Sequence, residues 1–137
     1  MSAPLALDTS VAIPLLLTSH AAHGRVSQWW AGRRVALCGH ALVETYSVLT
    51  RLPGDARLSG PDAARLIAAR CEPALVPDQA SYVRLPDLLA DVEVVGGAVY
   101  DALVALAAVA NDAVLASRDS RAQATYERVG ARVEMVG

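Results

Sequence analysis

The chain has 137 residues, 54% of them hydrophobic, and a formal net charge of −2. That length and apolar content suit one compact domain, spanning residues 1–137, with ample material for a core. The near-neutral balance excludes a broad basic surface for duplex DNA or an anionic membrane. No apolar stretch approaches the roughly 18 uninterrupted residues of a membrane span, because the longest candidates are broken by Asp8 with Pro14 or by Asp101. The N-terminus lacks the positive segment of a signal peptide, so a cytoplasmic protein with no membrane association is expected. Cys38 and Cys71 fall in different elements without metal-ligand spacing and are expected as buried free thiols.

In chain order, residues 4–7 read as a short buried strand that hands over at Asp8-Thr9-Ser10 to a helix reaching Leu17. A second helix is expected from His20 to Gly32, followed by a strand over Val35–Cys38. The segment 40–51 reads as a helix whose apolar stripe is Leu42, Val43, Tyr46 and Leu49, with Glu44 off that stripe and Pro53-Gly54 ending it. Pro61 opens a helix to about Cys71. Leu75-Val76 is a brief strand or extended link, and residues 79–90 read as a helix with a kink or break at Pro86. After Gly96-Gly97, VYDALVALAAVA is a helix apolar on nearly every side. A strand over Ala113–Ser117, a helix capped by Asp119 or Ser120 and stopped by Gly130, and a strand over 132–136 complete the chain. Ser120 with Gln123 fits a capping box. Short apolar strands alternating with longer helices predict a mainly parallel sheet of four to five strands covered on both faces, a three-layer α/β/α sandwich.

Asp8, Glu44, Asp101 and Asp119 stand where apolar segments end or helices begin. A carboxylate at a core edge costs free energy unless it is paired or holds a metal. The chain contains no lysine, so any organic counter-charge comes from its 12 arginines. Four converging carboxylates would suit a hard divalent ion, Mg²⁺ with Mn²⁺ as the alternative. In an open parallel sheet ligands bind beyond the carboxyl ends of the strands, where Asp8 and Asp119 should project. Taken singly, each acid has a plainer role: helix cap for Asp8 and Asp119, first-turn dipole partner for Asp101 and solvated helix face for Glu44.

Their joint setting carries a resemblance. LALDTSVAIPLL, ALVETYSVLTRLP, GGAVYDALVALAA and AVLASRDSRAQATYERVGARVEMV together resemble the PIN-domain family, and specifically VapC-type toxin ribonucleases of type II toxin–antitoxin modules. The similarity covers nearly the whole chain and keeps the order and spacing of the acids. The resemblance implies a PIN-like fold and Mg²⁺-dependent endoribonuclease chemistry, with Asp8, Glu44, Asp101 and Asp119 as catalytic metal ligands. Ser117 falls where relatives carry a small hydroxyl residue supporting the metal site. Thr9 and Ser10 can bind a water or phosphate oxygen, with helix capping the expected role for Ser10. Asn111-Asp112 departs from the glycine-containing turn common in relatives. A cognate VapB-type antitoxin, an RNA substrate and assembly as a homodimer or toxin–antitoxin hetero-oligomer are implied as partners. The region 40–71, with Leu49, Leu52, Leu58 and Leu66, is where relatives dimerise or bind antitoxin, although core packing serves each leucine equally well.

Other conspicuous residues carry weaker expectations. His20, His23 and His40 are expected at the surface or in caps. One of Trp29 and Trp30 is expected in the core, since neighbours on a helix point about 100° apart, and the other could stack on RNA. Arg33, Arg34, Arg51, Arg57, Arg65 and Arg70 could contact phosphate, with a solvated helix face as the default. Phosphoaspartate enzymes are disfavoured by the absence of lysine, and dinucleotide binding by the absence of GxGxxG after the first strand. A non-catalytic PIN-like binding or scaffold module is the alternative from another functional class.

Overall fold

The computed structural model describes residues 2–137, so only Met1 of the expected domain lies outside it. Five strands form one sheet in the order β3-β2-β1-β4-β5, with every pair parallel. They are β1 (Leu5–Leu7), β2 (Val35–Cys38), β3 (Glu72–Leu75), β4 (Leu115–Ser117) and β5 (Val133–Met135). The helices are α1 (Thr9–Leu16), α2 (His23–Trp30), α3 (Ala41–Thr50), α4 (Gly60–Arg70), α5 (Gln79–Val83), α6 (Leu85–Asp91), α7 (Ala98–Ala110) and α8 (Ser120–Val129). The expected α/β/α sandwich is borne out.

The three central strands are continuous apolar runs because helices cover both faces of the sheet. Every residue of β2 and β4 is buried, as are Ala6 and Leu7 of β1. One helical layer packs α1 against α2, α3 and α4, and α7 packs on α8. Ala102, Ala105, Ala107 and Ala108 are fully buried on α7, where small side chains let the helix backbone lie close. The chain runs outward from β1 to β3, then returns past β1 to β4 and β5. That reversal leaves a crevice between β1 and β4 at their carboxyl ends.

Several local expectations shift. The edge strand β3 lies at Glu72–Leu75 rather than Leu75-Val76, because Pro73 is tolerated at a sheet edge. The helix expected over 79–90 is broken, as one of its expected alternatives had it, but at Arg84, so that Pro86 sits in the first turn of α6. On α3 the buried residues are Ala41, Thr45 and Leu49, while Val43 and Tyr46, expected in the core, are 58% and 42% exposed. Asp119 caps α8, accepting from the N–H groups of Arg121 and Ala122, which places Ser120 inside the helix and removes the expected capping box. Ser10 is likewise inside α1, whose cap is Asp8. Asp112 takes up the left-handed backbone, φ 50°, that the departed glycine turn would favour. Cys38 is buried and Cys71 half-buried, both free.

Trp29 and Trp30 are both half-buried against the main core, so neither is the fully buried member expected. The Trp29 indole N–H donates to Glu134 and that of Trp30 to the Arg33 carbonyl. Leu49, Leu52, Leu58 and Leu66 belong to a small apolar cluster with Ile13, Leu16 and Ala63. Among the described residues no helix is long and apolar enough to cross a membrane.

Candidate functional site

The first turns of four helices meet at the crevice. Asp8 caps α1 directly after β1, Glu44 lies in the first turn of α3, Asp101 in that of α7, and Asp119 caps α8 two residues after β4. All four line one cavity of about 430 Å³, together with Thr9, Ser10, His20, His40, Tyr100, Arg118 and Tyr126. The structure therefore brings the expected acids together, each at the positive end of a helix.

Capping and site-forming are compatible because each uses a different oxygen. Asp8 Oδ1 accepts from the Ser10 hydroxyl at 2.6 Å and the Val11 N–H at 3.3 Å. Asp8 Oδ2 accepts from the Tyr126 hydroxyl at 2.9 Å. Asp119 spends Oδ1 on the α8 cap. A relay of hydroxyls ties the two acids together: Ser10 Oγ accepts from the Arg118 N–H at 2.8 Å and lies 3.5 Å from Ser117 Oγ, which accepts from the Asp119 N–H at 3.0 Å. Thr9 serves a different joint, with its hydroxyl 3.2 Å from that of Thr45 and 3.4 Å from the Ala41 carbonyl. Thr9 and Ser10 thus fasten α1 to its neighbours.

Burial raises the Asp8 carboxyl above the ordinary aspartate range, and the hydroxyls of Ser10, Ser117 and Tyr126 with the Val11 N–H offset part of that. Asp101 is also raised, first by burial and then by the charges of Asp119, Glu44 and Asp8. The other three carboxylates are thus felt at Asp101, and negative charge gathered in this way attracts a cation. Tyr126 is pushed up, by burial and then by its contact with Asp8, and so remains a protonated donor.

Among the described residues no three Asp, Glu, His or Cys side chains stand close enough to enclose a metal ion by themselves. The donor set nevertheless fits Mg²⁺, which keeps several waters and is held through one or two carboxylates plus substrate phosphates instead of an all-protein cage.

Sequence reasoning missed Tyr126 and Arg118. Tyr126 lies within α8, over a hundred positions from Asp8, and only the tertiary fold joins them. A tyrosine followed by charged residues carries no mark of such a contact. His20 and His40, expected to serve only at surfaces or caps, also line the cavity. The His20 Nδ1 accepts from the Ala22 N–H at 3.0 Å, which leaves its proton on Nε2 in the neutral ring. None of the six arginines expected at phosphate lines it. Arg34 pairs with Glu72, Arg65 pairs with Asp62, and Arg33 and Arg70 lie over the two tryptophan rings.

Tyr126→Phe removes one hydroxyl and leaves the buried Asp8 Oδ2 without its donor. The expected result is a loss of about 1–3 kcal/mol at neutral pH, read by urea denaturation. An unchanged midpoint would show that water replaces the hydroxyl at no cost.

Carboxylates gathered at the switch point of a doubly wound parallel sheet define an α/β protein with an acidic functional site. Residues 5–128 match the PIN domain family. Over 133 residues the chain is 59% identical to ribonuclease VapC27 of Mycobacterium tuberculosis, covering 97% of each protein. It is 45% identical to ribonuclease VapC40 of the same organism, over 96% of this chain and 98% of that one. The fold superposes with a TM-score of 0.64 on a chain of the Rickettsia felis VapBC2 structure bound to a DNA fragment from its promoter. That match has 14% identity and covers 96% and 97% of the two chains. The chain belongs to the PIN-domain family, within its VapC group of toxin–antitoxin proteins.

Proposed function

We propose that the chain is the toxin of a type II toxin–antitoxin pair and a Mg²⁺-dependent endoribonuclease, with Asp8, Glu44, Asp101 and Asp119 as its working carboxylates. The observation that carries this reading is the single cavity lined by all four acids, in which the Asp101 carboxyl is raised by burial and then by the charges of the other three. The printed names of VapC27 and VapC40, both ribonucleases, support it.

A divalent cation bound there would neutralise charge on the scissile phosphate and lower the pKa of a water for attack on phosphorus. The chain's own residues do the rest. Asp8 is held by three donors, so its carboxylate presents one fixed orientation to the crevice. Asp101 faces the same crevice from the first turn of α7. Glu44 and Asp119 approach from α3 and α8 to complete the acidic wall. Attack breaks the bond from phosphorus to the 3′ oxygen, leaving a 3′ hydroxyl and a 5′ phosphate.

A VapB-type antitoxin would cover the apolar groove of about 500 Å³ between α3 and α4, where Val43 and Tyr46 stand exposed beside Ile67 and Ala68. The exposed surface in this region is thus Val43 and Tyr46 more than the leucines expected there. Incubating total bacterial RNA with purified, antitoxin-free protein tests the activity. Cuts at discrete sites with Mg²⁺ or Mn²⁺, abolished by EDTA, are expected. A folded protein that neither cuts RNA nor binds Mg²⁺ would favour the non-catalytic module instead, a reading supported by the lack, among the described residues, of three side chains able to hold one metal ion by themselves.

A further inference from the structure

Two features of the acid-lined cavity are left without a role by the carboxylates. The first is Arg118, on the turn between β4 and α8. Its Nε is buried without a hydrogen-bond partner, and no ion pair joins its guanidinium to any carboxylate among the described residues, although it shares the cavity with four. A buried donor without an acceptor requires a physical reason, and a planar guanidinium suits a phosphate. The second is a pair of rings on the cavity wall. His40 and Tyr100 have centroids 4.9 Å apart and planes tilted by 35°, and Tyr100 is 55% exposed. An aromatic face left open beside carboxylates loses apolar burial that a stacked base would restore.

The sheet order sets where these features stand. His40 follows β2, Asp8 follows β1 and Arg118 follows β4, and those strands are adjacent in that order. The attachment points of ring and guanidinium are thus separated by one strand, about 10 Å along the sheet edge, with Asp8 between them.

We propose that Arg118 and the His40–Tyr100 pair form a nucleotide subsite for single-stranded RNA, in which Arg118 holds a phosphate oxygen and the rings stack on a neighbouring unpaired base. This rests on the reading of the acids as a ribonuclease centre and assigns the residues of this chain that hold the phosphate and the base. A base in a duplex has both faces covered by its neighbours, so the rings select an unstacked one.

The test is fluorescence anisotropy of a fluorescein-labelled single-stranded RNA oligonucleotide with the full chain in Ca²⁺, with intactness of the RNA checked on a gel. Mg²⁺ affinity of each variant is measured separately by calorimetry. Arg118→Ala is expected to weaken binding and reduce the slope of log Kd against log salt by about 0.7, the value for one phosphate contact on a single strand. Arg118→Lys restores that slope. Tyr100→Leu weakens binding about tenfold with the slope unchanged, and Tyr100→Phe binds as the parent does. Every variant keeps its melting temperature and binds Mg²⁺ at least as well as the parent. An unchanged slope in Arg118→Ala, or parental binding by Tyr100→Leu, overturns the subsite, as does failure of the parent to bind the RNA while it binds Mg²⁺. A parent that binds no Mg²⁺ overturns instead the underlying ribonuclease reading.

Discussion

Asp101→Asn is expected to abolish RNA cleavage, lowering kcat by at least about 10³-fold, and at the same time to steady the metal-free protein at neutral pH. The first effect follows from removing a carboxylate that would hold the cation, the second from the electrostatics of the folded state. Burial and the charges of Asp119, Glu44 and Asp8 raise the Asp101 carboxyl, so folding disfavours its ionised form. Between the ordinary aspartate range and the raised value, the folded chain binds more protons than the unfolded one. Its contribution to stability is fully present below the ordinary pKa and is lost as pH rises through the raised value. Asp8 has the same sign, mainly from burial. Glu72 is held low chiefly by its hydrogen bonds to Arg34, and Asp78 by the Ser81 N–H, so both act in the opposite direction. The informative quantity is therefore the difference between variant and parent. In EDTA, raising the pH from about 4 to about 7 should lower the melting temperature of the variant less than that of the parent. Parallel melting curves would show that the carboxylates do not repel one another, and surviving cleavage would remove Asp101 from the chemistry.

Gly39→Ala is expected to be the most damaging single-methyl change in the chain, at about 3 kcal/mol or more. Gly39 joins β2 to α3 with φ at +57°, and an added Cβ would stand 2.5 Å from the Leu103 carbonyl oxygen and 3.2 Å from Val104 Cα. Both obstacles are backbone of α7, which cannot move away as a flexible side chain could. Gly32→Ala separates the two penalties, because Gly32 has φ at +74° with nothing within 4 Å of its added Cβ. That variant should lose only the left-handed term, about 1–2 kcal/mol. Chemical denaturation of the two variants checks the pair, and equal losses would mean that α7 does not crowd β2. The close approach bears on function too, since it brings the start of α3, with His40 and Glu44, beside the Asp101 turn of α7.

The central strands and the acids were legible because each is written locally. LAL and VALC are uninterrupted apolar runs and LAS is apolar up to Ser117, as a sheet covered on both faces demands. Asp8 directly follows the first of these and Asp119 stands two residues after the last, so their position at the strand ends was visible as well. What failed was anything decided by which surface a helix turns toward a neighbour. On α3 the apolar spacing of Val43 and Tyr46 mimics a core stripe, yet the buried face carries Thr45, whose hydroxyl pairs with that of Thr9 on α1. β3 was misplaced because Glu72 and Pro73 are poor strand formers, acceptable at an edge that pairs on one side only. Tyr126 and Arg118 were out of reach for a further reason: their partners and cavity are assembled from elements far apart in the chain.

The double duty of Asp8 and Asp119 has a consequence for how experiments on this protein are interpreted. Each holds the start of a helix with Oδ1, and the Ser10–Ser117 hydroxyl relay links the two caps across the crevice. Replacing either acid therefore alters chemistry and architecture in one stroke, and an inactive variant cannot distinguish a missing ligand from a displaced helix. Asp101 and Glu44 cap nothing. Dead variants made at those two positions keep the scaffold intact, and so are the ones suited to trapping a bound RNA.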